Sequence, residues 1–331
     1  MSKIVPALVA AFALISIPPV ASAEIQLKAS HQFPGGKGDA RDEMVQILAR
    51  EINAANVGLN VKVFPGASLV KAKEQWRALE RGQIDIASFP LDYASGTVPQ
   101  FGATLMPGLV KNHDHARRIN KSPFMNDIKA LINKHGIIVL ADAWLAGAFG
   151  GKEKCILEPD DAKGLKVRSA GATFSEMWAG AGASIVSIPS NEVYNALQTG
   201  VANGTDTSTG SFNSFRLYEQ LACVTAPGDH ALWFMYEPLL MSKASFDKLN
   251  DAQKKAVMDA AKKAEDYFAG ESKKLDEKMI DAFKKANVKV VTMTSQQADE
   301  WLKIAGTTSF KTFGEKVPGG KELIEKALAV K

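Results

Sequence analysis

The segments IQLKA (residues 25–29), MVQILAREI (44–52) and LNVKV (59–63) decide the fold, because they read in turn as strand, helix and strand. In the first and third segments apolar and other residues alternate, as in a strand that buries one face. In the second segment the apolar residues recur every three or four positions, as on one side of a helix. This order favours a parallel sheet covered by helices.

A second unit of the same kind follows. Strands are expected at 137–144, where the first unit closes, and at 165–170, 184–188 and 232–241 in the second unit. From 251 to 286 the pattern is helical almost without interruption, and a helix of that length can bridge two units.

The chain beyond the N-terminal segment has about 300 residues, more than one hydrophobic core usually organises. We therefore predict two discontinuous α/β domains. Domain I takes residues 24–143 and 238–275, and domain II takes residues 144–237 and 276–331.

Residues 1–23 have the pattern of a signal peptide. Lys3 precedes an apolar run at 4–17, and Ala21-Ser22-Ala23 is a small-x-small cleavage motif. A membrane anchor is the alternative, but the run is shorter than the ~20 residues needed to cross a bilayer. We expect a secreted soluble protein that begins near Glu24.

The balance of charges excludes a nucleic-acid partner. Without the signal segment, 39 basic residues face 36 acidic ones, since Lys3 is the only charge removed from the 40 and 36 of the whole chain. This excess is too weak and too dispersed for a nucleic-acid footprint. The two cysteines, Cys155 and Cys223, are expected to form one disulfide in an oxidising compartment, with two buried thiols as the alternative.

Motifs of known catalysts are missing from the sequence. It contains no GxSxG and no HExxH, and its five histidines are scattered. We therefore predict a binding protein rather than an enzyme, with no metal and no cofactor.

Candidate binding residues lie where predicted strands end, the edge at which open α/β sheets bind ligands. Arg168 ends its strand, so its guanidinium must reach water, a structural carboxylate or a bound anion. The polar and aromatic candidates are His31, Tyr93, Trp144, Arg168, Phe174, Trp233 and Tyr236.

Three motifs resemble the solute-binding receptors of TRAP (tripartite ATP-independent periplasmic) transporters, of the dicarboxylate-receptor type. They are LERGQID (79–85), Val167-Arg168 at the end of a strand, and NEVYNALQTGVANG (191–204). The similarity extends over the whole chain after the signal segment.

This resemblance implies a type II-like two-domain periplasmic binding protein fold with an interdomain cleft and a long bridging helix. It also implies that Arg168 clamps a ligand carboxylate, with a structural ion pair to Asp206 as the alternative. Thr207 stands where many relatives carry asparagine. In Gly147-Ala148-Phe149 the second arginine of some relatives is missing, which argues against a second fixed anionic group on the ligand.

The aromatic candidates suggest a roomy apolar wall and hence an aromatic monocarboxylate as ligand. Along the strand, Trp233 and Met235 should share one side and Phe234 and Tyr236 the other. The expected partners are membrane permease subunits, and the protein is expected to be a monomer.

Two other functions remain open. A 2-oxo or hydroxy acid receptor would bind its ligand through Na⁺ or Ca²⁺ held by Asp206 and Glu237. A periplasmic enzyme is the other alternative, although the sequence offers no nucleophile, base and metal set.

Overall fold

The computed structural model describes residues 24–36, 38–228 and 231–331, so the predicted signal peptide (1–23) lies outside the described residues. The strands are β1 Ile25–His31, β2 Leu59–Phe64, β3 Ile86–Ser88, β4 Ile137–Ala141, β5 Trp144–Gly151, β6 Lys166–Arg168, β7 Ser184–Val186, β8 Gly204–Ser208, β9 Cys223–Ala226, β10 Phe234–Tyr236, β11 Leu239–Ser242 and β12 Lys289–Thr292. The α-helices are α1 Ala40–Ala54, α2 Gln75–Glu80, α3 His113–Ile119, α4 Pro123–Lys134, α5 Ala172–Gly180, α6 Val193–Gln198, α7 Thr209–Ser214, α8 Lys243–Asp247, α9 Asp251–Lys285, α10 Ser295–Ala305, α11 Lys311–Lys316 and α12 Gly320–Leu328.

Two mixed sheets organise two domains, as the two-unit pattern predicts. The first has the strand order β2-β1-β3-β11-β4, and its β2, β1 and β3 are parallel. The second has the order β12-β9-β5-β8-β6-β7, with β10 paired to β5. Strands of the first sheet lie within 24–143 and 238–275, and those of the second within 144–237 and 276–331. The prediction of an α/β fold with two domains is confirmed.

Two strand-to-strand connections carry the chain between the sheets. β4 continues into β5 through Asp142 and Ala143, and β10 continues into β11 through Glu237 and Pro238. The amide of Glu237 donates to the carbonyl of Ala143 at 2.8 Å, so these two connections lie side by side. The predicted single strands 137–144 and 232–241 are therefore each two strands, because their apolar residues serve two cores in succession.

The long helix α9 is present as predicted and joins the domains. Asn250 caps it, since its side chain accepts from the Gln253 amide while the Gln253 side chain accepts from the Asn250 amide. The first half of the helix buries Phe268 against the domain I core, and the second half buries Phe283 against the domain II core.

The C-terminal helices pack on both domains. α10 packs on domain II, where Trp301 contacts Trp178 with ring centroids 4.9 Å apart. α12 instead packs on α4 of domain I, and Lys326 Nζ lies 2.7 Å from Asp127 Oδ2. The apolar face of a helix predicts that it is buried, but it does not identify the partner.

Cys155 and Cys223 form a disulfide, with an S–S distance of 2.07 Å. The bond ties the segment after β5 to the start of β9. Among the described residues, no helix has both the length and the apolar character needed to span a membrane.

Candidate ligand-binding site between the two domains

Arg168, the last residue of β6, is completely buried where the domains meet. Its Nε donates to the Ile188 carbonyl at 2.9 Å, and its Nη1 donates to the Asp206 carbonyl at 2.7 Å. Its Nη2 lies 3.3 Å from the Tyr93 hydroxyl. Ile188 and Asp206 belong to domain II and Tyr93 belongs to domain I, so the guanidinium contacts both domains.

These contacts leave part of the guanidinium available. Arginine has five N–H groups, and Arg168 uses three of them within the part of the chain that the structure describes. One N–H on each terminal nitrogen remains without a protein acceptor there. A carboxylate can accept one hydrogen bond from each of two such nitrogens.

The ion pair between Arg168 and Asp206 that the sequence left open is loose. Asp206 Oδ1 is 3.8 Å from Arg168 Nη1, beyond hydrogen-bonding distance. Its oxygens instead accept from the Ala170 amide at 3.1 Å and from Trp178 Nε1 at 2.7 Å. Burial raises the pKa of Asp206 above 3.8, although Arg168 and these hydrogen bonds act in the opposite direction.

Tyr93 provides the domain I side of the site. It lies in a 3-10 turn, Leu91–Ala94, that follows β3. Its hydroxyl accepts from the backbone amide of Ser190 at 2.9 Å as well as contacting Arg168. Burial raises the pKa of this hydroxyl above 10, so Tyr93 is a neutral hydrogen-bonding group.

Thr207 lies on the same face of the second sheet as Arg168. Arg168 is in register with Thr205, and residues two apart in a strand point to the same face. Thr207 is buried, and its Oγ1 has no hydrogen-bond partner among the described residues.

Sequence reasoning missed Asp92, the neighbour of Tyr93. It is 2% exposed, and neither oxygen of its side chain has a hydrogen-bond partner in the described ranges. The carboxyl lies against domain II, since a β-carbon on Gly171 would come within 2.7 Å of Asp92 Oδ2. Burial raises the pKa of Asp92 to about 7, Arg168 lowers it, and Glu237 and Asp206 raise it further.

A signal for Asp92 was present in the sequence. The strand before it ends at Ser88, and Asp92 therefore occupies the same kind of strand-end position that made His31 a candidate. The prolines and glycines that follow predict a loop, and for that reason Asp92 was not among the candidate binding residues.

Two predicted aromatic residues lie in the core of domain II. Phe174 is completely buried, and its ring centroid is 4.9 Å from that of Trp233. The Trp233 ring covers Gly147, where a β-carbon would come within 1.8 Å of the indole. Of the three residues Gly147-Ala148-Phe149, Gly147 therefore has no room for an arginine side chain beneath the ring.

Three other predicted residues have structural partners away from Arg168. His31 Nε2 lies 3.0 Å from Asp42 Oδ1 inside domain I. Trp144 and Tyr236 pack against each other with ring centroids 4.8 Å apart, and Tyr236 donates to Asp142. Their place in the ligand site stays a prediction. As predicted, Phe234 and Tyr236 share one core cluster while Trp233 and Met235 share another.

A second buried arginine, Arg41 on α1, also joins the domains. Its Nε and Nη2 donate to Asp39 at 2.9 and 2.7 Å, and its Nη1 lies 3.1 Å from Glu237 Oε2. Nη1 also reaches Ser208 and Ser211 of domain II, at 3.2 and 3.0 Å. Sequence reasoning missed this network as well.

Asp206 and Glu237, the cation ligands in the alternative function, both interact with donor groups of the protein. Asp206 accepts from Ala170 and Trp178, and Glu237 pairs with Arg41. Within the described ranges, no group of three or more His, Cys, Asp or Glu side chains is placed to hold a metal ion.

Comparisons with known proteins identify the family. The pattern of the family described as "Bacterial extracellular solute-binding protein, family 7" matches residues 37–313. A solute-binding protein of Albidiferax ferrireducens is 38% identical over 305 residues, which cover 91% of this chain and 90% of that protein.

Solved structures agree in fold. A TRAP periplasmic solute-binding protein from Rhodoferax ferrireducens, with bound malonate, has a TM-score of 0.88 and 38% identity, covering 91% of this chain and 96% of that one. A TRAP periplasmic solute-binding protein from Sulfurospirillum deleyianum, with bound succinate, has a TM-score of 0.85 and 25% identity, covering 94% and 100%.

These relatives are solute-binding proteins, which confirms the prediction of a receptor rather than an enzyme. The chain belongs to family 7 of the bacterial extracellular solute-binding proteins, the receptors of TRAP transporters.

Proposed function

We propose that this receptor captures a small organic acid in the periplasm, holds its carboxylate on Arg168 between the two domains, and delivers it to TRAP permease subunits in the membrane. The observation that carries this proposal is the pair of N–H groups left on the terminal nitrogens of a completely buried guanidinium. A buried cation without an anionic partner is destabilising, and a bidentate carboxylate would complete its hydrogen bonding.

The relatives support the same class of ligand. The Rhodoferax ferrireducens protein holds malonate and the Sulfurospirillum deleyianum protein holds succinate, both small carboxylates. One guanidinium with two remaining N–H groups matches one carboxylate of such an acid.

The predicted preference for an aromatic monocarboxylate has less support than the carboxylate itself. Trp144 and Tyr236 pack against each other, and Phe174 packs against Trp233 in the domain II core. Tyr93 is the predicted aromatic residue that contacts Arg168. We therefore propose a ligand of the size of the acids bound by the relatives, in preference to one with an aromatic ring.

We propose direct binding, without the cation of the alternative function. Asp206 and Glu237 already accept hydrogen bonds from protein donors, which leaves few lone pairs for Na⁺ or Ca²⁺. Protein treated with a chelator should keep its affinity when Ca²⁺ or Na⁺ is added back. A gain in affinity on adding either ion would favour the cation-assisted receptor.

We propose export by the signal peptide at 1–23 and action as a monomer. Permease subunits are the partners that membership in a TRAP receptor family implies.

A thermal-shift screen of organic acids tests the proposal. A ligand that binds the folded protein raises its melting temperature by mass action. We expect small carboxylic acids to raise it in the wild-type protein, and their amides, which lack the negative charge, to leave it unchanged. An Arg168→Lys variant should lose most of the shift. Equal shifts in both proteins would contradict the proposed role of Arg168.

A further inference from the structure

Asp92 is a buried carboxyl that the proposed carboxylate site at Arg168 leaves unused. Both of its oxygens lack a hydrogen-bond partner within the residues that the structure describes. An unpaired buried polar group costs free energy, because water is removed and no protein group replaces it. Such a group is therefore expected to form a hydrogen bond with a bound ligand.

The position of Asp92 places it at the same site as Arg168. It precedes Tyr93, whose hydroxyl contacts the guanidinium at 3.3 Å. Its Oδ2 lies against Gly171, three residues after Arg168 along the chain of domain II. Asp92 thus lies in domain I against the segment of domain II that follows Arg168, and the charge of Arg168 acts on its carboxyl.

The charges around Asp92 do not favour a second anion beside it. Arg168 attracts negative charge, but two buried carboxyls repel it, and the other cation, Lys73, has a pKa that is lowered by burial and by Arg168. The titratable and charged groups that interact electrostatically with Asp92 are Lys73, Tyr93, Arg168, Asp206 and Glu237.

Given the carboxylate site proposed at Arg168, we propose that Asp92 binds the same ligand as a protonated carboxyl, donating a hydrogen bond to a ligand oxygen next to the carboxylate. The proton comes from solvent, so the receptor takes up one proton with each ligand above the pH at which Asp92 ionises. The ligands selected are acids with an acceptor oxygen near the carboxylate.

The energetic reason lies in the arrangement of the charges. A ligand carboxylate on Arg168 cancels the positive charge that stabilises ionised Asp92, so the two negative charges would repel each other in a buried site. Burial and the neighbouring acids already raise the pKa of Asp92 to about 7 without a ligand. Protonation removes the repulsion and supplies a donor, as in other buried carboxylic acids that are kept neutral.

Pyruvate and propionate are suitable probes, because both are fully ionised between pH 6 and pH 9 and only pyruvate has an acceptor oxygen beside its carboxylate. By calorimetry, pyruvate should bind the wild-type protein with constant Kd below about pH 7, and its Kd should rise about tenfold per pH unit above that. At pH 6 propionate should bind about tenfold more weakly than pyruvate.

Proton uptake can be measured on the wild-type protein alone. Titrations at pH 8 in two buffers of different ionisation enthalpy should show about one proton taken up per pyruvate bound. This readout does not depend on how any variant folds.

The Asp92→Asn variant imitates the protonated carboxyl, since its amide is neutral and carries an N–H donor. It should bind pyruvate at pH 6 within about threefold of the wild-type Kd and keep that Kd up to pH 9. A matched control is Glu237→Gln, which removes another buried acid near the site. Its Kd should still rise about tenfold per pH unit, but from a lower pH, because Glu237 contributes to the raised pKa of Asp92.

Several results would overturn the role of Asp92. In the wild-type protein, these results are a pyruvate Kd that does not change up to pH 9, or no binding of pyruvate at pH 6. In Asp92→Asn, they are a pyruvate Kd that rises with pH as in the wild type, or a loss of pyruvate affinity of more than about tenfold at pH 6. If other acids in the screen still bind and Arg168→Lys abolishes their binding, the proposed function stands and only the role of Asp92 fails. If no acid binds, the proposed function itself fails.

Discussion

Arg41 and Arg168 are both completely buried where the domains meet, yet their surroundings differ. Arg41 is paired with two carboxylates, Asp39 and Glu237, and also reaches the hydroxyls of Ser208 and Ser211. Arg168 has carbonyl oxygens and a phenol as partners, and the nearest carboxylate oxygen is 3.8 Å away.

This difference separates a structural cation from a binding one. Burial alone would raise the pKa of Asp39, but Arg41 and its hydrogen bonds hold that pKa below 3.8, so the pair is ionised and complete. Arg168 keeps hydrogen-bonding capacity that the described part of the protein does not use. Burial of an arginine is therefore a poor guide to its role, whereas the number of its anionic partners is informative.

Arg41→Met should cause the largest loss of stability. It leaves Asp39 and Glu237 as buried charges without a partner, which costs about 3–5 kcal/mol in comparable pairs. The free energy of unfolding in urea would measure the loss. Arg50→Met is a matched control on the same helix, because Arg50 is exposed and pairs with Glu43 at the surface. Equal losses in the two variants would show that Arg41 is not a structural cation.

Asp92→Asn should stabilise the ligand-free protein by about 1–3 kcal/mol at pH 8. Because the pKa of Asp92 is raised from 3.8 to about 7, the wild-type protein loses stability as the pH rises through that interval, and the loss is complete above pH 7. The variant carries no charge at either pH.

Urea unfolding at pH 4 and pH 8 would test this expectation. The two proteins should have similar free energies of unfolding at pH 4 and differ at pH 8. A variant that is less stable than the wild-type protein at pH 8 would contradict the assignment of Asp92 as an unpaired buried acid.

Tyr93→Phe should have the smallest effect, a loss of ligand affinity of about 1 kcal/mol. The change removes the hydroxyl that contacts Arg168 from domain I and accepts from the Ser190 amide, but it leaves the guanidinium in place. Calorimetry with an acid identified in the thermal-shift screen would measure it. A loss as large as that of Arg168→Lys would mean that Tyr93, and not Arg168, dominates binding.

The sequence predicted the features that depend on local pattern. Local patterns gave β1, β2, β6 and β7, although not β8 or β9 of the second sheet. The continuous helical pattern from 251 to 286 corresponds to α9 at Asp251–Lys285, and the cysteines pair. Arg168 was identified from its position at the end of a strand together with the family motif, and the structure places it between the domains.

Features that depend on contacts between distant segments were missed. Arg41 lies within an ordinary amphipathic helix, and its partner Glu237 is 196 residues away. His31, Trp144 and Tyr236 lie at strand ends, but Asp42, Asn120 and Asp142 supply their hydrogen bonds within the fold. Strand-end position alone does not determine whether a polar group remains free to bind a ligand.

Calorimetry on Arg168→Lys and Arg41→Lys, with one acid from the screen, decides whether Arg168 holds the ligand carboxylate. We expect Arg168→Lys to lose about 2 kcal/mol or more of binding free energy while its melting temperature changes little, because lysine keeps the charge but not the bidentate geometry. Arg41→Lys should show the reverse, with a lower melting temperature and a smaller loss of affinity. An unchanged Kd in Arg168→Lys would contradict the account.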